Sequence, residues 1–410
     1  MRIVSEEQLA VRLAALAAEP RVVASGNLAS PARLLTLLDG AVERYRLFVL
    51  NASSSLPERD GVTFETPFVG AGMRGARGHL DYLPMRLSLV PHLFQRSRPP
   101  GCVLLHTSTI RAGRVSLGIE VNILVAAIEQ TRARGGLVVA QLNPNMPYTL
   151  GDAELDCEDI DVAVEVDEPL PEPRARSFGA IEEAIGANVA TLVDDGATLQ
   201  LGIGAIPDAT LASITDRRGL AVWSEMISDG VLRLERAGAL DPSRAICASF
   251  LFGSRELYDW VDGNPRVRML RTEVANDPAV IAQQPGMVSV NAALQVDLFA
   301  QANASWVNGR IHSGFGGQPD FTAGALHSHG GHAVVALSSW HEKSGTSTVV
   351  PLLASPVTSF QHSAIVSEQG VAAIFGRSAH AQAELLIENV AAGRARPGLR
   401  DAARSLGLLT

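Results

Sequence analysis

The chain has 410 residues, of which 47% are hydrophobic, 19% charged and 5% aromatic, with a formal net charge of -9. That length calls for two domains of roughly 200 residues, each able to bury its own core, and the balance is that of an α/β enzyme rather than a disordered or fibrous chain. The negative charge is scattered, and no Lys/Arg stripe interleaves with aromatics, which argues against nucleic acid as a partner.

Cys102, Cys157 and Cys247 are odd in number and far apart, so neither a disulfide framework nor a thiolate metal site is expected. The start, Met1-Arg2-Ile3-Val4-Ser5-Glu6-Glu7, lacks the basic flank and apolar run of a signal peptide, and no later stretch reads as a membrane span. A reduced, cytoplasmic protein is the expectation.

In chain order, Val22 to Ser25 reads as a strand, Gly26 to Ser30 as a glycine turn, and Pro31 as the start of a helix, with Arg46 to Leu50 as the next strand. Prolines 169, 171 and 173 then exclude helix interior and central strand, so Val166 to Arg174 reads as a linker between an amino-terminal domain, 1–173, and a carboxy-terminal domain, 174–410.

The second half repeats the unit. Helical spacing from Ile181 to Val193 stops at Asp194-Asp195-Gly196, and a strand follows over Ala197–Leu201. Gly202-Ile203-Gly204 turns the chain into a helix through Pro207 and Ile214, and Leu220–Ser224 makes the next strand. Alternating strands and helices imply two similar open α/β domains with mainly parallel sheets, whose ligands bind at strand carboxyl ends. Glu225 stands at such an end.

Gly202, Gly204 and Glu225 also have the spacing of a nicotinamide dinucleotide site, in which an acidic residue about 20 positions on binds ribose. Pro207 occupies the place of the third small residue, which weighs against an NAD-dependent oxidoreductase. His327, His329 and His332 lie in a glycine-bearing turn without a completing ligand, so no metal is expected.

Several ordered motifs resemble the acetyl-CoA hydrolase/transferase family, which includes 4-hydroxybutyrate CoA-transferases. They are Asp195-Gly196-Ala197-Thr198-Leu199-Gln200-Leu201-Gly202-Ile203-Gly204-Ala205-Ile206-Pro207, Trp223-Ser224-Glu225-Met226-Ile227-Ser228-Asp229-Gly230, Asn276-Asp277-Pro278, Val288-Ser289-Val290-Asn291, and Gly314-Phe315-Gly316-Gly317-Gln318-Pro319-Asp320-Phe321. The likeness is densest over residues 180–325 and thins in the amino-terminal half to Pro91-His92-Leu93-Phe94 and Asn143-Pro144-Asn145-Met146-Pro147.

The resemblance implies a CoA-transferase that exchanges CoA between a short-chain acyl-CoA and a carboxylic acid of the acetate, butyrate or 4-hydroxybutyrate type, by a ping-pong route through a glutamyl-CoA on Glu225. Asn276 would bond that glutamate, Gly316 and Gly317 would supply oxyanion donors, and Gly202, Gly204, Gln318, Asp320 and Glu368 would face coenzyme A. It also implies a homodimer or larger assembly. An acyl-CoA hydrolase would use the same residues, and a non-catalytic CoA-ester binding protein is the other alternative. The carboxy-terminal part departs from the family: Gln361-His362-Ser363 replaces an Arg-x-Asp pair, and Glu388 to Gly393 replaces an I-A-H-P-x-F-R stretch.

Overall fold

A computed structural model describes residues 1–53, 56–75, 79–173, 177–355, 357 and 361–410. Arg174, at the end of the expected linker, lies outside the described residues. The chain divides into two compact units: Met1–Arg174 with Ile246–Ala275 and His312–Gly316, and Ala175–Ala245 with Asn276–Ile311 and Gly317–Thr410. No helix among the described residues is long and apolar enough to cross a membrane.

In the first unit, strands β1 (Arg2–Ile3), β2 (Arg21–Ala24), β3 (Tyr45–Phe48), β4 (Val62–Thr66), β5 (Leu80–Tyr82), β6 (Cys102–Thr107), β7 (Leu137–Leu142) and β8 (Val162–Glu165) form a parallel sheet in the order β1-β8-β7-β6-β2-β3-β4-β5. Residues of β2, β3 and β6 such as Val22, Val23, Phe48 and Leu104 are fully buried. Such near-continuous apolar strands are what a sheet covered on both faces requires.

The second unit contains β9 (Thr198–Leu201), β10 (Ala221–Trp223), β11 (Met287–Ala292), β12 (His332–Ala336), β13 (Ala364–Ser367) and β14 (Gly370–Ala373) in the order β10-β9-β11-β12-β13-β14. Every one of these pairings is parallel except the last. The strand order β10-β9-β11-β12-β13 thus reproduces β3-β2-β6-β7-β8 of the first unit.

Register makes the repeat residue-specific. Val23 pairs with Phe48 and Val103, and Leu199 pairs with Val222 and Val288. Gly26 and Gly202 each come three residues after their strand reference, and so do Asn51 and Glu225. The expected pair of similar α/β units with mainly parallel sheets is therefore the observed architecture.

Two helices of the second unit pack on each other. The first, α1 (Ala180–Ala190), packs through Gly186 against α2 (Ala205–Ser213) so tightly that a Cβ at Gly186 would lie 2.6 Å from the Ala209 carbonyl carbon and 2.8 Å from the Thr210 nitrogen. Both contacts are backbone, which cannot rotate away. Replacing Gly186 by Ala should cost about 1–3 kcal/mol through this overpacking, despite the better helix propensity of Ala. Thermal denaturation of the variant checks this, with a lowered Tm expected.

Candidate active site

The strand β10 ends at Trp223, and the next residues alternate in direction: Ser224 and Met226 turn inward and are buried, and Glu225 between them is partly open. Two other elements of the same unit meet this carboxyl group. One is the loop before helix α3 (Pro278–Ile281), where Asn276 donates from its amide nitrogen to Glu225 Oε2 at 3.1 Å. The other is the start of helix α4 (Gln318–His327), whose N-cap residue Gly317 donates its backbone N–H to the same carboxyl.

Local sequence explains each placement. Asp277 accepts from the Ala279 N–H at 2.8 Å, capping α3 and fixing the residue before it, Asn276. Pro319 lies in the first turn of α4, where its missing N–H costs nothing. Gly317 has an ordinary φ of -87°, so glycine is required there by space alone. A Cβ on it would come within 3.1 Å of the Glu225 carboxyl carbon and overlap both Oε2 and the Asn276 amide nitrogen.

Electrostatics at this carboxyl are unusual. Burial pushes Glu225 up, the Asn276 hydrogen bond pulls it down, the negative charge of Asp320 pushes it up again, and the Gly317 N–H pulls it down; the balance lies at about 7. A carboxyl that ionises near neutrality keeps more basicity than an ordinary glutamate. It is thereby a better nucleophile whenever it is ionised.

The other expected residues fall into distinct places. Gly202 and Gly204 follow β9, and a Cβ at either would meet nothing within 4 Å. Gly204 has φ +124°, so its need for glycine is conformational. Gln318 stands in the first turn of α4 with its amide nitrogen buried and unpartnered among the described residues, as is Asn276 Oδ1. Asp320, also in that turn, is fully buried. Gly316 belongs to the first unit, where its φ is +55°, a Cβ would lie 3.2 Å from the Phe68 ring, and its carbonyl accepts from the Leu87 N–H at 3.0 Å.

Glu368 follows β13, four strand positions from β10, which is about 19 Å along the sheet at the usual strand spacing. Burial raises its pKa, but bonds from the Ser339 hydroxyl, the Ser339 N–H at 2.8 Å and the Gln369 amide at 3.1 Å more than offset that and leave it lowered. Ser339 is the partner that sequence reasoning missed. It follows β12 in a Ser-Ser-Trp run that carries no motif.

Residues 253–403 match the profile described as the acetyl-CoA hydrolase/transferase C-terminal domain. The 4-hydroxybutyrate coenzyme A transferase of Clostridium kluyveri is 39% identical over 348 residues, covering 82% of this chain and 80% of that protein. The chain belongs to the acetyl-CoA hydrolase/transferase family. Among solved structures, a 4-hydroxybutyrate CoA-transferase from Porphyromonas gingivalis aligns with a TM-score of 0.81 at 30% identity, covering 99% of this chain and 98% of that one. RipA from Yersinia pestis aligns with a TM-score of 0.90 at 26% identity over the same shares. An acetyl-CoA hydrolase of Kluyveromyces lactis is 34% identical over 210 residues, 50% of this chain and 40% of that protein. Family membership replaces the dinucleotide-binding reading of Gly202, Gly204 and Glu225.

Gly317→Ala should leave the fold intact, since its φ suits alanine, and displace the Glu225 carboxyl. Misplacing a reacting group by about 1 Å costs on the order of 100-fold in rate. Steady-state kinetics of CoA exchange, beside a circular dichroism spectrum matching the parent, check this outcome.

Proposed function

We propose that the protein transfers CoA from a short-chain acyl-CoA to a small carboxylic acid, with Glu225 as the nucleophile. The observation that carries this reading is Glu225 itself, a partly exposed strand-end residue whose carboxyl is held by Asn276 and Gly317 and ionises at about 7. Membership of the family supports it.

The reaction begins when a Glu225 carboxylate oxygen attacks the thioester carbonyl. The C–S bond breaks, CoA leaves as thiolate, and an acyl-glutamyl anhydride remains. The thiolate then attacks the glutamyl Cδ, the acyl carboxylate departs, and Glu225 becomes a CoA thioester. The incoming carboxylate attacks the same Cδ and expels the thiolate to give a new anhydride. Attack of that thiolate on the new acyl carbonyl yields the product thioester and free Glu225. Charge balances at each step, because one anion enters and one leaves.

Attack on Cδ throws negative charge onto the glutamyl oxygen that remains. Donors aimed at the carboxyl before reaction, the Gly317 N–H and the Asn276 amide, would meet that charge without rearranging. Gly316 would be the second glycine of this oxyanion site. Gly202 and Gly204 at the β9 end, together with Gln318, whose amide nitrogen has a free donor, and Glu368 would face the CoA moiety. Acetate, propionate, butyrate and 4-hydroxybutyrate are the acids to test, and a homodimer or larger assembly is the expected state.

Hydrolysis is the second reading, favoured by the hydrolase relative and differing only in whether water reaches an intermediate. Acyl-CoA supplied with and without a carboxylic acid separates the two, since beyond the one equivalent that loads the enzyme a transferase turns over thioester only when an acid is present.

Glu225→Gln should abolish exchange, a loss of at least about 1000-fold, because an amide forms neither anhydride nor thioester. In the parent enzyme, intact-mass and peptide analysis after incubation with acyl-CoA should find CoA on the Glu225 peptide. Exchange by the Glu225→Gln variant at parental rate would overturn the assignment.

The nucleophile is the ionised form, and its ionisation is raised from the usual 4.5 to about 7. Activity should therefore rise with pH up to about 7 and fall tenfold per unit well below it. A profile of kcat/KM against pH checks this, and a limb near 4.5 would contradict it.

A further inference from the structure

Helix α4 presents one face to the elements around Glu225. Gly317 touches the Glu225 carboxyl and Asn276, and two turns later Gly324 lies against Ile281 and Pro278, whose carbonyl would be 3.1 Å from a Cβ there. Residues three and four apart share a helix face, so Asp320, three after Gly317 and four before Gly324, lies on that face between them. Phe321 beside it packs with Ile281, Met287, Ala325 and Ala333, which seals this side of the helix. Asp320 is fully buried there. It has no surface with which to meet the CoA moiety, the role first expected of it.

We propose that Asp320 is a positioning residue for Glu225, a buried carboxylate one helical turn from Gly317 that helps set when the nucleophile is charged. The N-terminal end of α4 favours one anion, and two carboxyl groups share it. Asp320 lies within the first turn, where a negative charge is favoured. Glu225, just beyond the N-cap, gains the Gly317 N–H but also feels the negative charge of Asp320, which pushes its ionisation up.

Asn276 is neutral, Asp277 is engaged in capping α3, and Asp229 stands in the first turn of the helix Asp229–Arg236 that follows the nucleophile segment. Burial is the largest influence raising Glu225, and Asp320 adds to it. The effect on the reaction is that the resting enzyme holds a basic, partly protonated nucleophile near neutrality.

The inference rests on Glu225 being the acylated residue, and the test separates the two claims. Asp320→Asn keeps the shape and removes the charge; Asp320→Ser is a smaller neutral alternative; Asp320→Glu restores the charge. In a folded neutral variant the acid limb of kcat/KM should move to lower pH by at least about half a unit, raising activity one unit below the parental limb about threefold relative to its own plateau. Asp320→Glu should bring the limb back toward the parental position. A uniform loss of rate with the limb unmoved overturns the proposal, and so does failure of both neutral variants to fold, because either outcome marks Asp320 as purely structural. Peptide mass analysis of the parent enzyme reports on the other claim: no CoA on the Glu225 peptide overturns the nucleophile assignment itself.

Discussion

The site depends on a close approach between a helix start and a carboxyl group. Gly317 brings the N–H at the cap of α4 to Glu225, and it does so only because no side chain stands between them. Three elements must meet for this: the end of β10, the capped loop that holds Asn276, and the glycine before α4. A carboxylate in such a place is stabilised by two fixed donors and destabilised by burial and by Asp320. The outcome is a group balanced close to neutrality, where a small change in surroundings decides its charge.

The first unit uses the same strand order for a different end. At the positions that correspond to Gly202 and Glu225 it carries Gly26 and Asn51. Its buried carboxylate there is Glu120, which accepts from the Gly26 N–H at 3.1 Å, the Asn27 amide at 2.7 Å and the Asn122 amide at 3.2 Å. Asn51 in turn donates to Asn27 at 2.8 Å. Glu120 is 1% exposed and held from three sides, whereas Glu225 is partly open. One scaffold thus carries a carboxylate held by three donors in one unit and a partly exposed glutamate held by two in the other.

Much of this was legible in the residues. The glycine turn after each early strand, the proline in the first helical turn and the apolar runs between them mark strand, loop and helix in both halves, and the observed elements follow them to within a few residues. Glu225 was legible as a strand-end acid and as part of an ordered set of family motifs. The hydrogen bond from Asn276 was expected from that resemblance and is present. Ser339, which holds Glu368, carried no such mark, because a serine after a strand is ordinary in any loop.

The amino-acid sequence by itself determined the α/β class, the repeated strand and helix unit and the family, because periodicity, turn residues and motif order are local properties that survive without knowledge of contacts. Only the tertiary structure decided that Gly317 must lack a side chain for want of space while Gly204 must lack one for its φ, that Asp320 is buried on the face of α4 turned toward Glu225, and that Glu368 stands several strands away. Each of these depends on which distant segments touch. Close packing and burial are properties of the assembled chain, and they set the charge of a carboxyl group as firmly as its identity does.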